Sequence, residues 1–303
     1  MPILSIHHVT TYRYRRPVSW GEHRMMFRPL ESYDQRVLSS SLVISPVPSQ
    51  LRHMHDVFGN CVGIAKFADR ACELKFESNV VLEHLPAPAF ADGGAACDLR
   101  GALATYAAED MPDLARSIER QYPDPDRTLE RWAKSFLGHG RQVSVQDLLT
   151  EMTKAIHSDF RYRTRLSGAI QTPQETLALR SGACRDYAML MMEAVRCLGL
   201  AAQFVSGYVR TRRGEGLKTS RGGGHTHAWA RVYLPACGWV EFDPTNGIVG
   251  NADLVRVAIA RDPRHVLPLY GTFHGRADDY IGMDVCVDVD AIEERSNVAL
   301  ATN

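Results

Sequence analysis

The sequence changes its hydrophobic period once, and that change restricts what it can fold into. Up to about residue 88, short runs at 9–14, 37–44, 61–67 and 74–85 read as strands. Pro17, Pro29, Pro46, Pro48 and Gly59-Asn60 punctuate them, as in a sandwich of short strands. Asp56-Val57-Phe58-Gly59-Asn60 fits a hairpin turn in which Gly59 takes a positive φ. A stretch rich in Pro, Ala and Gly then runs from Pro86 to Cys97 and reads as a linker. The expected division is a β-rich domain over 1–88, a linker over 89–97 and a second domain over 98–303.

The second domain opens with a helical period. Ser144 is placed to cap a helix with Val145, Leu148, Leu149, Met152 and Ile156 on one stripe. Another helix is expected over 184–198, with Tyr187, Leu190, Met191, Ala194 and Leu198 sharing a face and Gly199 as its stop. Runs at 202–209, 228–234 and 238–242 then read as strands. Met283, Val285, Val287 and Val289 alternate with acidic or polar neighbours, as a half-buried strand would. The expected class is α+β, with an N-terminal β-sandwich followed by helices packed on an antiparallel sheet.

Composition narrows the function classes. The chain has 303 residues, with 35 Lys+Arg against 35 Asp+Glu, 45% apolar residues and a pI of about 7.2. These are values of a soluble globular protein. No basic excess exists to neutralise phosphates, so nucleic acid is not an expected partner. No run approaches the ~20 apolar residues of a membrane span, and the start is too short in apolar residues for a signal peptide. Seven cysteines, odd in number and thinly spread, make a poor disulfide framework. A cytoplasmic protein with reduced thiols is expected.

One of those thiols stands apart. In Arg180-Ser181-Gly182-Ala183-Cys184-Arg185-Asp186-Tyr187, a glycine-containing turn leads Cys184 into a helix. Free amides and the positive dipole end of a helix favour the thiolate, which is the nucleophilic form. Downstream, His225-Thr226-His227-Ala228-Trp229 enters one strand, and Gly238-Trp239-Val240-Glu241-Phe242-Asp243-Pro244-Thr245-Asn246 forms the next. A helix-borne Cys, a strand-borne His and an Asp ending the adjacent strand can converge. The imidazole then takes the thiol proton while the carboxylate fixes the ring.

These residues, with Leu198-Gly199-Leu200-Ala201-Ala202-Gln203-Phe204-Val205-Ser206-Gly207-Tyr208, resemble the bacterial transglutaminase-like superfamily, some members of which are labelled cysteine proteases. His8-Val9-Thr10-Thr11-Tyr12-Arg13-Tyr14 and Asp56-Val57-Phe58-Gly59-Asn60 resemble the β-rich N-terminal domain that accompanies this core in bacteria. The resemblance implies a papain-like superfamily core with Cys184 as nucleophile, His227 as general base and acid, and Asp243 as the orienting carboxylate. It implies no cofactor. It also implies peptide or protein substrates and an association with peptide-ligating ATP-grasp enzymes. Ala183, where the family often has Val, and the 257–262 segment depart from the family pattern. The early position of His227 also differs from a papain chain layout, where the His lies far downstream.

The same residues support rival readings. His225 competes with His227 for the base, since residues two apart on a strand face one side. His225, His227, Cys237 and Asp243 are ligand types for zinc, but no recognised ligand spacing accompanies them. No calcium-loop pattern occurs. Trp229 and Trp239 are either core or the walls of an acyl channel. Asp186 reads as a structural residue of the helix start, and the basic 210–224 run as a lid or a solvated hairpin. The Cys184 amide is a natural oxyanion donor, with Tyr162 a candidate for the second. The expected activity is cysteine-dependent acyl transfer on peptide or carboxamide bonds through a thioester, hydrolytic in outcome. The alternatives are a protein-glutamine transglutaminase and a catalytically silent peptide-binding module.

Overall fold

The computed structural model describes residues 2–86, 88–90, 106–137, 143–165, 168–210, 221, 224–235 and 237–292. The first six strands are β1 (Ile3–Trp20), β2 (His23–Met25), β3 (Gln35–Ser45), β4 (Gln50–His55), β5 (Cys61–Lys66) and β6 (Ala71–His84). They divide between two antiparallel sheets. One contains β1, β6 and β3, and the other contains β2, β5 and β4. Tyr14, Val18, Trp20, Met25, Phe27, Ile44, Ala65, Leu74 and Phe76 fill the space between them, which makes the expected sandwich. The hairpin turn forms as read: Asp56 Oδ1 accepts from Phe58 N at 2.8 Å and Asn60 N at 2.9 Å, and Gly59 has φ +79°.

The helical region holds α1 (Met111–Ile118), α2 (Thr128–Lys134) and α3 (Val145–Asp159). After α3 come β7 (Arg161–Tyr162), α4 (Pro173–Leu179), β8 (Ser181–Gly182) and α5 (Cys184–Cys197). Ser144 caps α3 as expected, its Oγ accepting from Asp147 N at 3.0 Å, and the whole apolar stripe is buried. Helix α5 is buried on nearly every side from Asp186 to Arg196. It lies among α2, α3 and α4 and packs on the sheet that follows, and Gly199 ends it with φ +81°.

That sheet consists of β9 (Ala202–Val209), β10 (His227–Leu234), β11 (Gly238–Asp243), β12 (Ile248–Val249) and β13 (Leu254–Ala260). Its order is β12-β11-β10-β9-β13, with every pairing antiparallel. Gly207 of β9 has a steric reason: a Cβ there would lie 2.1 Å from Val255 O and 2.6 Å from the Trp229 ring.

The chain then returns to the sandwich, and this corrects the division expected at residue 98. Strand β14 (Leu269–Tyr270) pairs with β2, and β15 (Phe273–His274) pairs with β1. The alternating strand near the C-terminus, β16 (Tyr280–Ile292), pairs with β1 along most of its length rather than joining the second sheet. Alternation identifies a half-buried strand but not its partner, because pairing is a long-range choice. Of the expected linker, residues 91–97 lie outside the described residues.

The two halves also share a core. Leu4, Ile6, Val80 and Leu82 of the sandwich belong to the same buried cluster as Tyr187, Leu190, Phe204 and Tyr208. Polar ties reinforce it. Asn60, fully buried, donates to Ile259 O and accepts from Ile259 N, each at 2.8 Å. Gln35 accepts from Arg256 N and donates to Arg256 O. The turn that ends β4 and the start of β3 are thus stitched to the edge strand of the second sheet.

Candidate active site

Helix α5 starts at Cys184 because the preceding turn is locked from behind. The buried carboxylate of Asp186 folds back to accept from Ala183 N at 2.7 Å and from Gln171 N at 2.9 Å. Arg165 Nη2 donates to both of its oxygens, at 2.7 and 2.6 Å. Gly182 leaves room for that fold-back, since a Cβ there would sit 2.8 Å from Asp186 Cβ. Asp186 therefore serves structure at the helix start, as the sequence suggests, but its partner Arg165 was not foreseen. Nothing in the local pattern links a loop arginine to that carboxylate.

Cys184 is half-buried and opens on a cleft of about 160 Å³ that His227 also lines. His227 begins β10 and Asp243 ends β11, and both side chains are buried. The ring's Nε2 and Asp243 Oδ2 are 2.8 Å apart. Asp243 is held in turn: Oδ1 accepts from Thr245 N at 2.9 Å, and Oδ2 accepts from Asn246 Nδ2 at 2.8 Å. Among the described residues the other ring nitrogen, Nδ1, has no hydrogen-bond partner.

Burial opposes charge on this pair, but the partners outweigh it. Desolvation favours neutral His227, yet the charge and hydrogen bond of Asp243, with a further contribution from Cys184, raise the imidazole pKa. The same attraction, with donors from Asn246 and Thr245, overcomes desolvation and lowers the Asp243 carboxyl. An imidazolium against a carboxylate is the state the site favours.

Tyr162 lies on the two-residue β7, whose parallel pairing sets it opposite Gly182 of β8. Its phenol is pushed up by burial and then by the neighbouring Cys184 thiol, so it remains a proton donor. The Tyr162 hydroxyl is thus a neighbour of the sulfur.

The other candidates separate. His225 is drawn away, its Nδ1 3.0 Å from Val285 O. Cys237 sits with Trp239 at a different cavity, so the four zinc-ligand types do not gather. Among the described residues no group of three or more His, Cys, Asp or Glu could hold a metal ion. Neither tryptophan lines the Cys184 cleft. Trp229 is core, stacked on the His227 ring at 5.9 Å between centroids, and Trp239 carries the Arg231 guanidinium at 4.5 Å. Most of the 210–224 run lies outside the described residues. At its far end, Arg221 N donates to Asn246 Oδ1 at 2.8 Å.

The family model of the transglutaminase-like superfamily matches residues 131–244, and that of the bacterial transglutaminase-like N-terminal region matches residues 4–83. Uncharacterized proteins of Mycobacterium tuberculosis and Mycobacterium bovis are 30% identical to this chain over 298 residues, spanning 93% of it and 90% of their own length. The chain belongs to the transglutaminase-like superfamily. A solved structure described as a "Putative Cysteine Protease" from Cytophaga hutchinsonii shares the fold, with a TM-score of 0.69 at 18% identity. The match covers 96% of this chain and 91% of that one. The transglutaminase-like core therefore comes with its sandwich across nearly the whole length, in keeping with the core the two halves share.

Proposed function

We propose that this transglutaminase-like protein is a cysteine-dependent acyl-transfer enzyme whose reaction ends in hydrolysis of a peptide or carboxamide bond. One observation carries the reading. Cys184 at the start of α5 and His227, with Nε2 committed to Asp243 and Nδ1 uncommitted, open on the same cleft.

The Cys184 thiolate attacks the carbonyl carbon, and the oxyanion that forms accepts hydrogen bonds from the Cys184 amide and the Tyr162 phenol. The His227 imidazolium gives its proton to the departing amine, which leaves a thioester on the sulfur. A water molecule then attacks the thioester, His227 takes its proton, and the carboxylic acid is released. Hydrolysis is favoured over transfer to an amine because bulk water competes unless a site excludes it, and the Cys184 side chain is only half-buried. By likeness to the family, small peptides or isopeptides are the substrates, made or consumed beside peptide-ligating ATP-grasp enzymes in the cytoplasm.

The test is selective alkylation followed by adduct trapping. Iodoacetamide at mildly acidic pH should modify Cys184 ahead of the other thiols, and His227→Ala should slow that reaction. Mass spectrometry after incubation with peptide amides should find the acyl group on Cys184. Uniformly slow labelling of all thiols, or no change on removing His227, would sink the assignment.

A further inference from the structure

The cleft at Cys184 is not built by the catalytic core alone. Ile170 and Phe204 belong to the core, Val266 and Leu267 to the segment that leads back to the sandwich, and Met283 and Val285 to β16. His8 and Thr10 of β1 complete it. The pairing register explains why these β1 and β16 residues act together. Thr10 stands opposite Val285 and Tyr12 opposite Met283, so their side chains share one face of the sheet.

We propose that the sandwich supplies the specificity wall of this site, a subsite for one uncharged, apolar side chain of the acyl donor. The inference rests on Cys184 being the nucleophile. Three observations carry it. The cleft measures about 160 Å³, below the roughly 300 Å³ at which pockets begin to hold drug-sized ligands, so it suits one residue-sized group. No carboxylate is among the described residues that line it; its two cations, Arg165 and Arg185, stand on the core side rather than on the sandwich wall, with Arg165 paired to Asp186, and most of the lining is aliphatic or aromatic.

The polar groups of the sandwich wall are already engaged with each other. His8 has Nδ1 2.9 Å from the Tyr208 hydroxyl and Nε2 2.9 Å from Thr10 Oγ1. Burial, with His7 nearby, pushes His8 down to about 3, so the ring stays neutral and brings no charge to the wall. A charged donor side chain would lose its hydration there without a new partner on that wall.

Alkylating reagents with different tails read this subsite without requiring turnover. The whole protein is treated with iodoacetamide, N-hexyl iodoacetamide and N-(5-carboxypentyl) iodoacetamide. Each rate at Cys184 is divided by the rate of the same reagent with glutathione. The hexyl reagent should gain about tenfold or more over iodoacetamide, the discrimination a hydrophobic pocket gives for added methylenes. The carboxypentyl reagent should gain nothing.

Met283→Trp on one wall and Leu267→Trp on the other should each bring the hexyl advantage below about twofold. Leu267 lies at the exposed rim, so that variant keeps the test usable if Met283→Trp fails to fold. No hexyl advantage in the unsubstituted protein, an equal gain for the carboxylate tail, or an advantage that survives both substitutions would each overturn the subsite. Slow reaction of Cys184 with iodoacetamide itself would instead overturn the nucleophile, while the ratio of the two reagents would still report the pocket.

Discussion

On β10, His227 and Trp229 stand two residues apart and face one side; on the neighbouring β11, Asp243 and Glu241 do the same, set diagonally to them, since Glu241 itself stands opposite Arg231. One nitrogen of each ring meets a carboxylate: His227 Nε2 lies 2.8 Å from Asp243, and Trp229 Nε1 donates to Glu241. The two rungs have the same parts and opposite characters. Glu241 is matched by a permanent cation, since Arg256 Nη1 donates to it at 2.8 Å while Nη2 donates to Ser32 at 2.8 Å and ion-pairs with Asp34. Trp229 cannot take up a proton. That rung is a structural tie between the sheet and the sandwich. Among the described residues Asp243 has only neutral amide donors besides the ring, so the charge that balances it is the imidazolium itself. The comparison shows what makes such a pair chemically useful: a partner that titrates, and no fixed counter-charge to relieve it of doing so.

Substitutions at the two rungs should therefore fail in different ways. The largest effect belongs to Asp243→Asn, which should slow acylation of Cys184 by about 10³–10⁴-fold, as loss of an orienting carboxylate does in related constellations. Its urea midpoint should move less than that of a variant which strands a buried charge, because an amide still fits among Thr245 and Asn246. Rapid acylation by this variant would remove Asp243 from the mechanism. At the other rung, Arg256→Leu leaves Glu241 and Asp34 buried without their cation. Breaking such a pair costs about 3–5 kcal/mol, measured as unfolding free energy in urea. The folded fraction should keep its acylation rate within a few-fold. A variant as stable as the parent would mean that the Arg256 tie contributes specificity of fold rather than stability.

How much of this was legible before any coordinates follows the range of the interactions. Cys184, His227 and Asp243 stand in short strings whose residues are specific in themselves, and the helix and strands that carry them have regular periods. The Ser144 cap and the Gly59 turn are likewise local chemistry. Helix α4 carries a local signal too, in Thr172-Pro173 and Glu175, where each of the threonine and glutamate side chains accepts from the other's backbone amide. The return of β16 to β1, the Arg165–Asp186 lock and the Arg256 ties were not legible. Each joins residues far apart in the chain, and neither spacing nor composition encodes which distant partner a strand or an arginine meets. Trp229 shows the intermediate case: core was one of two readings open for it, while the carboxylate beside it had no signal.

The smallest effect is the most discriminating, because pH acts on one rung only. The imidazole of His227 is raised above its usual 6.5, so its contribution to stability is complete below about pH 6.5 and is lost as pH rises through the raised value. The Asp243 carboxyl is lowered from its usual 3.8, so its contribution is complete above about pH 3.8 and is lost as pH falls through the lowered value. The His227–Asp243 pair should thus stabilise most between about pH 4 and 6.5. The unfolding free energy of the parent minus that of Asp243→Asn should be largest near pH 5.5 and shrink by about 1–2 kcal/mol toward pH 9, roughly one pKa unit's worth of differential interaction. Subtracting the variant cancels the titrations the two proteins share. The same difference for Trp229→Phe should be flat over that interval, since neither tryptophan nor phenylalanine takes up a proton there. A flat difference for Asp243→Asn would make His227–Asp243 a neutral hydrogen bond like its neighbour, and the distinction between the two rungs would then lie in position alone.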